Sequence, residues 1–94
     1  MTKNISGHEA NRLIKNGAAV VDIRDVKDFG VGHILGAINI SINDLTKLNL
    51  NKNKNIIVVC SQGIRSIAAV KKLGELGYSN VYNLKDGYDN YKKI

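Results

Sequence analysis

The chain has 94 residues, 44% of them hydrophobic, which suits one small folded core and leaves no room for a second. Its formal charge of +6 rests on eleven lysines and three arginines that are scattered along the chain, with aromatic residues at only 5%, a pattern that argues against a nucleic-acid surface. A single cysteine excludes an internal disulfide, and no apolar run is long enough for a membrane span or a secretory signal, so a reducing, cytoplasmic setting is expected.

In chain order, Ser6 caps a helix predicted over Gly7 to Asn16, with Ala10, Leu13 and Ile14 on one face and Gly17 as its stop. Residues 18 to 23 (Ala-Ala-Val-Val-Asp-Ile) form the continuous apolar run of a strand buried on both faces. Ala37 to Ile40 is a shorter candidate strand. Asn43 to Leu50 reads as a weak helix, capped by Asn43 and turning Leu45 and Leu48 inward. Ile56 to Cys60 is the clearest strand, five apolar residues of which four are β-branched. Arg65 to Leu76 is the clearest helix: Ala69, Val70, Leu73 and Leu76 make its apolar stripe, and Gly77 ends it. Val81 to Leu84 is a last strand, followed by a Tyr-rich tail. Strands alternating with helices predict a single α/β domain over residues 1–94, its parallel sheet covered on both faces. Function in such sheets gathers at the carboxyl ends of the strands, where Cys60 lies.

The segment Cys60-Ser-Gln-Gly-Ile-Arg-Ser66 must turn sharply between the strand and the helix. It contains no proline, so Ser61, Gln62, Gly63, Ile64, Arg65 and Ser66 all keep a backbone N–H. Curled around the sulfur, these donors would form a nest continuous with the positive end of the helix and would stabilise a thiolate. Gly63 permits a backbone conformation closed to other residues, and Arg65 offers a planar fork for an oxyanion. The bland alternative is a cysteine that merely fills the core.

This loop closely resembles the active-site loop of rhodanese-type sulfurtransferases. Two further stretches agree with the same family: Val21-Asp-Ile-Arg24 with Asp28 and Phe29 after it, and Gly32-His-Ile-Leu-Gly-Ala-Ile-Asn39. The closing Val81-Tyr-Asn-Leu-Lys-Asp-Gly87 matches as well. Leu35 stands where the family usually has proline, Asp86 where the first glycine of a pair is common, and Tyr91 where tryptophan is frequent.

The resemblance implies a five-stranded parallel sheet of order 3-2-4-5-1 with helices on both faces. It also implies a persulfide mechanism. Cys60 would be the nucleophile, the loop amides would hold the charge on sulfur, and Arg65 would grip the donor. The donor would be a small anion such as thiosulfate, and the acceptor cyanide, a small thiol or a protein thiol. No cofactor, nucleic acid or membrane is called for, and a monomer is expected.

His33 belongs to a structural segment of the family, and His8 to a polar helix face. Asp22 and Arg24 read as a structural network at a strand end. Two histidines and one cysteine lack metal-site spacing, and no nucleotide-binding glycine motif occurs. Two rival readings remain. A cysteine-dependent phosphatase or arsenate reductase would resemble His-Cys-x5-Arg, whereas here Val59 precedes the cysteine and four residues separate it from Arg65. A non-catalytic rhodanese-like binding module would usually lack the cysteine.

Overall fold

In the computed structural model, which describes residues 3–94, five strands form one sheet, every neighbouring pair parallel. The strands are β1 (Lys3–Ile5), β2 (Ala19–Asp22), β3 (Ile38–Asn39), β4 (Asn55–Val59) and β5 (Asn80–Leu84). Their spatial order is β1-β5-β4-β2-β3, the order implied by the resemblance read from the opposite edge.

Side chains alternate along β4, and that alternation builds two cores. Ile56, Val58 and Cys60 face one side with Leu45, Ala69, Val70 and Leu73. Ile57 and Val59 face the other with Ile5, Ala10, Val20 and Leu84. Helix α3 (Arg65–Glu75) covers the first face and α1 (Gly7–Lys15) the second. Cys60 therefore emerges from the strand on the side that α3 covers.

The structure departs from the sequence reading at several elements. The strand β1 was not legible as such: it has three residues, two of them exposed, and it is held by pairing with β5 rather than by an apolar run. A second helix, α2 (Val26–Val31), occupies a stretch for which no element was predicted; none of its residues is buried, so it carries no apolar stripe. The weak helix over Asn43 to Leu50 is a 3-10 helix over Ile42–Lys47 instead. Ser41, not Asn43, stands at its N-cap position, and Leu45 is its buried anchor. The Tyr-rich tail contains a short helix, α4 (Gly87–Tyr91), that brings Tyr88 and Tyr91 against the second core.

Candidate active site

Position 60 follows the last residue of the central strand, and α3 begins five residues later. The intervening turn wraps the sulfur. The Gly63 amide donates to Cys60 Sγ at 3.1 Å and the Ser66 amide at 3.3 Å. The thiol also meets the Ser66 hydroxyl at 3.2 Å. No side chain caps α3, so its first amides are free to serve the loop. Of the six amides expected around the sulfur, two donate to it, and the thiol itself donates to the Ser66 hydroxyl. Burial pushes the Cys60 thiol up, but the Ser66 hydroxyl and the amides of Ser66, Gln62 and Gly63 outweigh it and hold the thiol below its ordinary value.

The loop keeps this shape because of two glycines. Gly63 has φ +81°, and a Cβ there would lie 1.9 Å from the Lys85 carbonyl oxygen. Gly87 has φ +73°, and its Cβ would lie 2.2 Å from the Ser61 carbonyl oxygen. Between them the cysteine loop and the turn after β5 touch backbone to backbone. The Tyr88 amide donates to Cys60 O at 2.9 Å and the Asp89 amide to Ser61 O at 3.1 Å, which locks the start of α4 onto the loop. Asp86, where a paired glycine is common in the family, has φ −100°, a conformation open to any residue.

Cys60 lies at the base of a hollow of about 100 Å³ lined by Ser61, Gln62, Ile64 and Arg65. Arg65 is exposed at the rim. Among the described residues the ion pairs are Asp22–Arg24 and Asp44–Lys47, so the Arg65 guanidinium is uncommitted. Gln62 and Ile64 are exposed, Ser61 is half-buried, and Gly63 and Ser66 are buried.

Asp22 and Arg24 form a buried two-pronged pair: Arg24 Nε donates to Asp22 Oδ1 at 3.0 Å and Nη2 to Oδ2 at 2.8 Å. Nη2 also donates to the Gly32 carbonyl at 2.8 Å, and the guanidinium lies 4.3 Å from the Tyr88 ring centroid. Burial opposes the Arg24 charge, and the hydrogen bonds and charge of Asp22 more than restore it. His33 is exposed, with Nδ1 2.8 Å from the Phe29 carbonyl and its ring stacked on Phe29 at 3.8 Å. Both observations tie it to its own segment. No group of three metal-binding side chains occurs among the described residues.

Sequence reasoning missed Asn83. It is 1% exposed, and it accepts from the Ser66 hydroxyl and donates to the Gly63 carbonyl. Its signal was there: one amide side chain inside the otherwise closing strand Val81-Tyr-Asn-Leu84.

Comparison with known proteins agrees with this architecture. The profile of the rhodanese-like domain matches residues 6–94. The chain is 33% identical to the thiosulfate sulfurtransferase GlpE of Pseudomonas aeruginosa (strain LESB58), over 98% of this chain and 86% of that protein. The crystal structure of a rhodanese-related protein from Thermoplasma volcanium superposes with a TM-score of 0.85 at 30% identity, covering 97% of this chain and 91% of that one. The human single-domain sulfurtransferase TSTD1 shares the fold, with a TM-score of 0.87 at 21% identity over 99% of this chain and 97% of its own.

Proposed function

This chain belongs to the rhodanese-like domain family, and from that premise we propose a sulfurtransferase that works through a persulfide on Cys60. It moves sulfane sulfur from a small anionic donor such as thiosulfate to a thiophilic acceptor, cyanide or a thiol. In the first step the Cys60 thiolate attacks the outer sulfur of the donor. A new S–S bond forms, the donor's own S–S bond breaks, and its electron pair leaves with sulfite. In the second step the acceptor attacks the terminal sulfur and Cys60 departs as thiolate. Two displacements on one cysteine call for ping-pong kinetics and for no cofactor.

One observation carries this reading: the Gly63 and Ser66 amides converge on the sulfur at 3.1 and 3.3 Å, at the foot of a hollow rimmed by Arg65. In this reading the amides hold negative charge on sulfur, first of the thiolate and then of the persulfide. Arg65 holds the sulfonate end of the donor. Ser61, Gln62 and Ile64 shape the wall. The 94 residues act as one domain and as a monomer, and a nucleophilic thiol that must stay reduced fits the cytoplasm.

The test is intact mass. Incubation with thiosulfate should add one sulfur, about 32 Da, to the wild type as a covalent intermediate, and cyanide should remove it. Cys60→Ser should gain nothing. A wild type that takes no sulfur from any donor, yet hydrolyses an aryl phosphate, would replace this reading with a phosphatase.

A further inference from the structure

The buried amide of Asn83 meets the Ser66 hydroxyl beside the sulfur. Asn83 lies on β5, paired with Val58 of β4 on one side and Asn4 of β1 on the other. Its Nδ2 donates to the Gly63 carbonyl at 2.9 Å and to Asn4 Oδ1 at 2.9 Å. A backbone carbonyl only accepts, so Nδ2 must face Gly63 and Oδ1 must face Ser66. Oδ1 carries only lone pairs and therefore takes the Ser66 hydroxyl proton. Ser66 has one such proton. With it committed to Asn83, Ser66 Oγ meets Cys60 as an acceptor and receives the S–H across 3.2 Å.

Ionisation inverts this arrangement. A thiolate or persulfide anion only accepts. The Ser66 hydroxyl can serve it only by turning away from Asn83, which leaves Asn83 Oδ1 without a donor at a position 1% exposed. An orphaned buried acceptor is costly. The sulfur and the amide oxygen therefore compete for a single proton.

We infer that Asn83 is a positioning residue that holds the Ser66 hydroxyl proton away from the Cys60 sulfur in the resting thiol and yields it when the sulfur becomes an anion. The other end of the same side chain anchors the Gly63 carbonyl and so steadies the amide that faces the sulfur. The inference rests on Cys60 as the reactive group. Its test reads ionisation of the thiol and needs no sulfur donor, so its failure is distinguishable from failure of the sulfurtransferase reading.

Other charged or titratable groups on the elements around Cys60 are Arg65, Lys71, Lys72 and Glu75 on α3, Tyr78 after it, Asp22 at the end of β2 with its partner Arg24, Asp44 and Lys47 on the 3-10 helix, Tyr82 on β5, Lys85 and Asp86 after β5, and Tyr88, Asp89 and Tyr91 on α4. All are unchanged in the variants compared. The experiment is the rate of iodoacetamide alkylation against pH in wild type, Asn83→Leu, Ser66→Ala and the double variant. Leucine keeps the side chain's bulk and removes the competing oxygen. Asn83→Leu should lower the alkylation midpoint by about one pH unit, roughly tenfold faster alkylation well below it. With Ser66→Ala already present, the same substitution should leave the midpoint in place.

A midpoint that stays or rises in Asn83→Leu, or an equal shift with and without the Ser66 hydroxyl, overturns the inference. Should Asn83→Leu not fold, the wild type still decides by NMR. The Asn83 side-chain amide resonances should move with the Cys60 midpoint, and resonances that stay fixed through it overturn the inference as well.

Discussion

The amide of Gly63 reaches the sulfur of Cys60 at 3.1 Å, an approach that depends on position 63 having no side chain. With φ +81° and the Lys85 carbonyl where a Cβ would sit, any other residue must open the loop. The contact joins Cys60, the turn after β5 and the start of α3 into one unit. A thiol inside the core thus gets its donors from backbone alone.

Gly63→Ala should therefore cost both stability and reactivity. Left-handed strain and the clash together amount to at least about 2 kcal/mol, a fall in Tm of roughly 8 °C or more. The alkylation midpoint of Cys60 should rise as the Gly63 amide withdraws. Gly74→Ala supplies the control, because that glycine lies exposed inside α3 with open space around it. It should stabilise the fold by up to about 1 kcal/mol. Calorimetry showing equal losses for the two variants would refute the argument from the loop.

The lowered Cys60 thiol predicts a particular pH dependence. The folded chain gives up the thiol proton at a lower pH than the unfolded chain, which titrates near the ordinary value of about 8.5. Between the two the unfolded state binds more protons, so folding stability rises with pH. That contribution is complete above the unfolded value and lost as pH falls through the folded one. Urea unfolding of the reduced wild type and Cys60→Ser, compared from pH 5 upward, should show a gap that moves in favour of the wild type as pH rises. A gap that is flat in pH would mean that the thiolate is not stabilised.

What the sequence disclosed, and what it hid, follows from the physics of each segment. Ile56 to Cys60 and Arg65 to Leu76 were legible because burial on both faces demands a continuous apolar strand and a one-sided helix a periodic stripe. From these alone Cys60 falls at a strand end, facing a helix start. Strand β1 was hidden because its pairing with β5 holds it, and helix α2 because it has no buried residue to mark a face. The fifth strand and the strand order came only with the family resemblance. The contacts at the sulfur were half visible. A proline-free loop announces available amides, but which of them turn inward depends on the close backbone approach of Lys85 and Gly87, which follow the neighbouring strand. Asn83 shows in the sequence only as an amide inside a strand; what it meets is hidden, because its partner Ser66 lies 17 residues away.

Arg65→Ala should separate substrate binding from thiol chemistry. The guanidinium sits at the rim, exposed and outside both ion pairs, while the donors to the sulfur come from Gly63 and Ser66. Loss of a charge-assisted hydrogen bond should lower kcat/KM for thiosulfate by roughly tenfold or more. The alkylation rate with iodoacetamide, a neutral reagent, should change little. If thiosulfate turnover were intact in Arg65→Ala, the donor's sulfonate would have to be held elsewhere.

The buried Asp22–Arg24 pair makes the opposite forecast, a variant that fails in stability before chemistry. Asp22 is 0% exposed and Arg24 5%, and Arg24 spends two nitrogens on one carboxylate and shares one of them with the Gly32 carbonyl. Arg24→Leu would strand a buried carboxylate and should cost about 3–5 kcal/mol. Lysine, with one ammonium in place of the planar fork, should recover only part of that loss. Denaturation of wild type, Arg24→Leu and Arg24→Lys at pH 7 tests this directly. A loss well below that range in Arg24→Leu would show that the pair is not what holds the end of β2.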